Sequence, residues 1–316
     1  MSAAELYEAS PVNPRRRATR AEMEDRARFY ITYAAAHSPV TVRQLSYRAV
    51  VKGIAGIDKT ENGYARVQRQ ILNLRRAWRL PYSDIADATR WMRKPRTFNS
   101  VEDALRETAE TYRKALWRDF MIELEIWLEK NALAGVIYPV TELYDVPLMP
   151  TVGFTSETFA FEAIYAADPF RRFVVRALYD FDRAGLDAAN SLREKVDRFA
   201  NERRVNVSFQ QIAIAEHHIV EFDRAEQMAL VRLPGLAPVW LPTREPKRKS
   251  AADRRWPHEF AIELDAIEPD DLRTVVRWAI EQYLPAEQLK ILKAAEQSER
   301  EIIAKLVDGI AGGGRP

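Results

Sequence analysis

Cysteine is absent from this chain of 316 residues. That excludes disulfides, thiolate-held metals and a cysteine nucleophile, and it points to a reducing cytoplasm. Histidine is scarce, with four in all. His217 and His218 are adjacent and diverge on either regular element, while His37 and His258 stand beside Ser38-Pro39 and Pro257 in turns. An imidazole-bound metal is therefore not expected. No apolar run approaches the roughly 18 residues of a membrane span, and the N-terminus lacks the apolar stretch of a signal peptide, so no membrane partner is expected. There is neither a Walker-type glycine loop nor a Ser/His/Asp arrangement, so the chain carries no recognisable ATPase of its own. Disorder is excluded by what remains: 47% hydrophobic and 30% charged residues describe a globular protein with a sizeable core. The length is about twice that of a typical domain, which predicts two.

Charge is sparse in net terms, at +2, but unevenly placed. Residues 1–100 hold 19 Lys+Arg against 9 Asp+Glu, and the remainder holds 29 against 37. A basic N-terminal third joined to an acidic remainder is the pattern of a polyanion-binding module attached to something else, or of surface charge scattered unevenly.

Residues 1–20, with Pro11, Pro14 and Arg15-Arg16-Arg17, are expected to form a mobile basic tail. Spacing predicts a helix over Ala21–Ala36, a second opened by Thr41 as N-cap and stopped by Gly53, and a third over Glu61–Arg79 with Val67, Ile71, Leu72 and Leu74 inward. Leu80–Ile85 reads as a short strand. Three short helices and a β wing resemble a winged helix-turn-helix over residues 21–98. Its third helix carries Arg66, Arg69, Arg75, Arg76 and Arg79 against Glu61 alone, and arginines on such a helix meet phosphates and base edges of double-stranded DNA.

After a linker or helix around Ser100–Arg118 the pattern changes. Ile122–Leu128, Val146–Met149, Phe173–Leu178 and Val205–Ile212 read as strands, alternating with helices at 130–143, Ser156–Ala167 and Gly185–Ala200. This predicts an α/β domain over 99–310 with a mostly parallel, Rossmann-like sheet. Pro234–Arg255 reads as a Pro-rich basic loop, of which Arg244–Arg255 is either a mobile surface segment or a second DNA contact. Glu259–Leu264 reads as a strand, Asp270–Tyr283 and Pro285–Val307 as helices, and 311–316 as a flexible tail containing Gly312-Gly313-Gly314.

Three carboxylates stand at strand ends: Glu129 after the first, Asp180 and Asp182 after Phe173–Tyr179. In open α/β sheets, ligands gather beyond the carboxyl ends of the strands. Residues i and i+2 of a strand share a side, so Asp180 and Asp182 can present oxygens to one cation. Hard carboxylate oxygens without His or Cys suit Mg2+, with Mn2+ as the alternative.

This pattern resembles a Toprim domain, in which a glutamate assists proton transfer to the leaving oxygen and an Asp-x-Asp pair holds the metal. Thr41-Val42-Arg43-Gln44-Leu45-Ser46-Tyr47 is similar to the tyrosine-bearing segment of topoisomerase VI A subunits and the related meiotic double-strand-break protein, with the nucleophile falling on Tyr47. Glu125-Ile126-Trp127-Leu128-Glu129-Lys130 resembles the Toprim glutamate segment. Asp180-Phe181-Asp182-Arg183-Ala184-Gly185 resembles the Asp-x-Asp-Pro-x-Gly turn. Glu263-Leu264-Asp265-Ala266-Ile267, followed by Pro269 and Leu272-Arg273, resembles a family segment near the C-terminus. The resemblance runs from about residue 40 to 285 and is greatest to the compact, stand-alone Mini-A group. Ser46 replaces the first tyrosine of the pattern. Arg183 replaces a proline, setting a cation beside the metal aspartates, where it either steadies a phosphate or weakens metal binding.

The resemblance implies a homodimeric, type IIB topoisomerase-like, Mg2+-dependent DNA cleavage enzyme. Tyr47 would attack a phosphodiester and stay on the 5′ end, the tyrosine of one protomer working with Glu129, Asp180 and Asp182 of the other. It also brings an ATPase B-like subunit into consideration as a partner. A free tyrosine, with a pKa of about 10, is a poor nucleophile at neutral pH. Arg43, four residues earlier on the same helix face, is the expected activator or phosphate holder. Two alternatives stay open: a Toprim nuclease that nicks DNA through metal-activated water, and a non-cleaving DNA-binding protein on the same scaffold.

Overall fold

The computed structural model describes residues 18–86, 96–151, 156–247 and 253–312. Most of the basic tail, residues 87–95 and the terminal glycines Gly313 and Gly314 lie outside them.

Helices α1 (Arg20–His37), α2 (Val42–Val51) and α3 (Glu61–Arg76) open the chain. The first two start in capping boxes, Thr19 with Glu22 and Thr41 with Gln44, so side chains satisfy N–H groups that a helix start leaves unpaired. Thr60 caps α3 through the Gly63 N–H. Ala27, Tyr30, Leu45, Ala49, Val67, Ile71, Leu74 and Leu80 form a core of their own. Two expectations fail here. Leu72 points outward, 43% exposed, because α3 buries one stripe only. Leu80–Ile85 forms a 3₁₀ turn at Tyr82–Asp84 with a single bridge, Val40 to Ile85, rather than a strand, since Pro81 and Asp84 favour a turn.

Beyond α4 (Val101–Thr111) come β1 (Ile122–Leu128), α5 (Asn131–Leu143), β2 (Leu148–Pro150), α6 (Glu157–Ala166), β3 (Arg172–Leu178), α7 (Arg183–Arg203) and β4 (Val207–Ala213). The strands lie in the order β2-β1-β3-β4, all parallel, with Leu128 opposite Leu178. This is the α/β sheet expected. Alternation sorts its side chains. Leu124, Ile126, Leu128, Val174 and Leu178 join the core beneath α5, while Trp127, Phe173, Val175, Ala177 and Tyr179 join the one beneath α6 and α7. Trp127 is fully buried, with Phe159, Phe173 and Phe209 edge-on at 5.1, 6.3 and 6.1 Å.

A second, antiparallel sheet of β5 (Ile219–Asp223), β6 (Met228–Val231) and β7 (Val239–Pro242) follows, so part of the expected Pro234–Arg255 loop is a strand. Glu259–Leu264 is not a strand. It makes isolated bridges, Arg244 to Ala261 and Phe181 to Ile262, then turns into a 3₁₀ segment at Leu264–Ala266. Helix α8 (Pro269–Glu281) packs beside α5, and α9 (Ala286–Gly312) packs along α4. No helix among the described residues is long and apolar enough to cross a membrane.

Candidate active site

Parallel pairing at equal register ends β1 and β3 side by side, which brings Glu129 against Asp180. The Asp180 N–H donates to Glu129 Oε2 at 2.8 Å. Asp182 begins α7 as its N-cap, its Oδ1 accepting from the Gly185 N–H at 2.8 Å. A side chain at 185 would meet the Asp180 carbonyl at 2.3 Å, so glycine is required for the turn that carries both aspartates.

Around these three carboxylates stand groups whose roles the sequence alone does not reveal. Lys130 extends its ammonium to Asp180 at 2.9 Å, Asp265 at 2.8 Å and Glu263 at 3.4 Å. Arg244 pairs with Asp182 at 2.5 Å, and its Nε lies 3.0 Å from Glu263, within ion-pair distance but poorly aligned for a hydrogen bond. The Leu264 N–H donates to Asp180 Oδ1 at 2.8 Å. Arg244, the first residue of the stretch 244–255 expected to be a mobile segment or a second DNA contact, thus faces this site, while residues 248–252 of that stretch lie outside the described ones. Arg183, expected beside the aspartates, is committed to Asp187 one turn along α7 at 2.7 Å.

Helix α2 meets this cluster through the same short segment. Arg43 grips Glu263 with two hydrogen bonds of 3.1 Å, and Thr41 Oγ1 donates to Asp265 at 3.1 Å. Gln44 reaches the Ile267 carbonyl at 3.4 Å, and Arg48 bonds Glu268 at 2.8 Å and also the Ala266 carbonyl. Tyr47, 8% exposed, packs into the core under α5 rather than the N-terminal one, although its helix neighbours Leu45 and Ala49 belong to the latter. The Arg43 guanidinium lies 5.6 Å from the Tyr47 ring and 4.6 Å from that of Tyr64. Its charge favours the phenolate but is opposed. Burial, with Glu263 adding to it, pushes the Tyr47 hydroxyl above its ordinary range and outweighs Arg43.

The carboxylates divide. Burial and then Asp180 push Glu129 up to about 7, and burial holds Asp180 up at about 6 despite Lys130. Burial works against Glu263 too, but Lys130, Arg43 and Arg244 hold it down at about 2. Glu129, Asp180, Asp182, Glu263 and Asp265 face Lys130, Arg43 and Arg244, an excess of two negative charges when all are ionised. No cation lies within ion-pair distance of Glu129 among the described residues. Oxygen donors with two uncompensated charges suit a hard divalent ion. Among the described residues no three carboxylates form a ready chelate, Lys130 and Arg244 holding an oxygen each of Asp180 and Asp182. These two cations would have to yield.

The α3 arginines lie elsewhere. Arg66, Arg69, Arg76 and Arg79 are exposed and Arg75 is half-buried over Tyr82 at 4.3 Å. The helix has acidic partners that its own sequence does not show. Glu24 of α1 takes Arg79, and Asp58 lies 3.9 Å from Arg66. Of the histidines, His218 is buried, its Nδ1 accepting from the Ala215 N–H, and His37 meets Asp270.

Compared with models of known families, with curated proteins and with solved structures, the chain matches none.

Proposed function

We propose that this protein cleaves DNA by tyrosine transesterification, as its resemblance to topoisomerase VI A subunits implies, with α1–α3 acting as the winged-helix element and the parallel sheet as a Toprim domain. The observation that carries the reading is one short segment. Glu263–Glu268 grips the helix bearing Arg43 and Tyr47, and its Leu264 N–H also holds Asp180. This seats the tyrosine helix on the strand-end carboxylate cluster, so the two parts that the chemistry would use are linked through one segment.

In the proposed reaction Tyr47 Oη attacks the phosphorus, a P–O bond to tyrosine forms, and the bond to the 3′ oxygen breaks. One proton leaves the phenol and one reaches the departing 3′ oxygen, the latter through Glu129. Glu129, Asp180 and Asp182 would hold Mg2+ or Mn2+, which supplies charge neutralisation on the phosphate oxygens when bound. Arg43, released from Glu263, has the fork geometry to grip a phosphate. The cavity beside Tyr47, lined also by Tyr64 and Arg244, measures about 60 Å3, far too small for a nucleotide. Reaction therefore requires α2 to part from Glu263–Glu268, after which the tyrosine can serve the carboxylates of a second protomer. Exposed Arg69 and Arg76 of α3 are the principal phosphate contacts.

The test is supercoiled plasmid incubated with protein and Mg2+ or Mn2+, resolved with and without protease digestion. Wild type should cut and leave a protease-sensitive adduct. Tyr47→Phe should remain folded and bind DNA, yet lose cutting and adduct together. Nicking by Tyr47→Phe at the wild-type rate would instead establish the hydrolytic nuclease, and binding without scission by either protein the non-catalytic one.

A further inference from the structure

At the opposite end of the sheet from the carboxylate cluster, where β1 and β3 begin, a cavity of about 750 Å3 opens between α6 and the chain preceding β1. That volume lies within the range of small-molecule sites. Apolar residues make up most of its wall, with Trp117, Met149, Phe159 and Phe173 among them. Phe159 and Phe173 are themselves held edge-on against Trp127, so this wall is rigid.

Charge enters this cavity unevenly. Glu123 and Arg171 cancel each other. Arg171 lies 3.4 Å from Glu123 and donates three other N–H groups to the carbonyls of Phe120, Trp117 and Ile122, which pins the chain before β1. Glu125 has no such counterion. Its Oε2 accepts from Trp127 Nε1 at 2.6 Å, and no cation stands within ion-pair distance among the described residues. Burial holds its carboxyl above the ordinary range. Asp145 and Glu162, both exposed, add two more negative groups at the mouth, against the exposed Arg118. A carboxylate kept in an apolar cavity without a counterion is costly unless a cation completes it.

We propose that this cavity binds a small organic cation, its aromatic-sized apolar body against Phe159 and Phe173 and its ammonium or guanidinium head paired with Glu125. The inference is independent of the DNA-cleavage reading, since the cavity shares no residue with that site.

The probes are 1-naphthylmethylammonium and, as the anion of similar shape, 1-naphthaleneacetate, each titrated calorimetrically into the full chain and followed by thermal melts. The ammonium should bind saturably at one site and raise Tm. The acetate should not bind. Glu125→Gln keeps an acceptor for the Trp127 N–H while removing the charge, and should weaken the ammonium at least tenfold, about 1.4 kcal/mol. Should Glu125→Gln fail to fold, Ala163→Phe decides, because it fills the cavity from α6 and should abolish binding. Equal binding of the two probes, undiminished binding by either folded variant, or no saturable binding of the ammonium to wild type would each overturn the proposal.

Discussion

Asp180 shows how much one side chain can be asked to do. Only 7% exposed, it accepts from the Leu264 N–H, pairs with Lys130, and gives its own N–H to Glu129. Asp180→Asn keeps the shape and the acceptor for Leu264, and Lys130 retains Asp265 and Glu263. The fold should therefore survive within about 1–2 kcal/mol, since a buried charge is removed while its partner stays paired. Metal-dependent cutting should vanish. A melt and a plasmid assay over a Mg2+ series check both halves, and an Asn variant that cuts normally would remove the metal assignment.

Glu263 gives the pH dependence its sign. Its folded pKa of about 2 lies below the ordinary 4.5, so its contribution is present above about 4.5 and is lost as pH falls through 2. That depression from 4.5 to about 2 caps the contribution at about 3–4 kcal/mol. Glu263→Gln should be less stable than wild type near neutrality, and the two should converge between pH 4.5 and 2 in urea melts. A constant difference across that range would detach Glu263 from the clamp.

At the scale of the element, α3 is a helix whose basic face is partly neutralised from outside. Arg79 is taken by Glu24, and Arg75 covers Tyr82, which leaves Arg69 and Arg76 the freest. Changing these two to Ala should weaken DNA binding and flatten the plot of log K against log salt by about 2, at roughly 0.9 for each phosphate no longer neutralised. Arg79→Ala should alter that slope much less. The comparison is made by fluorescence titration over a salt series, and an unchanged slope in the double variant would move the DNA surface off α3.

On the scale of the whole molecule, what joins the N-terminal helices to the sheet is polar and specific. Besides the α2 contacts, Arg273 of α8 donates to the carbonyls of His37 and Pro39 at 3.2 and 2.7 Å and to that of Val136 at 3.0 Å, tying three elements at one point. With Tyr47 also in the larger core, the two halves should unfold in one transition, coincident by tryptophan fluorescence and far-UV circular dichroism. Arg273→Ala removes the donor from three part-buried carbonyls and should cost about 2–4 kcal/mol, separating the two probes. Coincident transitions in that variant would mean that α2 alone couples the halves.

Much of this was legible in the residues. Capping residues, helical spacing and apolar alternation are local, and they set α1–α3, the four parallel strands and the strand-end positions of Glu129, Asp180 and Asp182. The β5–β7 sheet was not legible: its strands are only four or five residues long, sequence patterning assigns no element to 213–233, and β7 falls in the proline-bearing stretch that reads as loop. Nor were the roles of Lys130, Arg244 and Glu263. Lys130 directly follows Glu129, and Glu263 stood in a segment already singled out, but a charge declares its partner only when the chain has closed. The same holds for Arg43 and Arg79, whose counterions are Glu263 and Glu24, whereas Arg183 pairs locally with Asp187 one turn along α7. Sequence alone determined which carboxylates reach the sheet edge, because period and turn chemistry act over a few residues. Tertiary structure decided which cations meet them and that Tyr47 is buried, because ion pairing and desolvation depend on groups more than 200 residues apart in the chain, as Arg43 and Glu263 are.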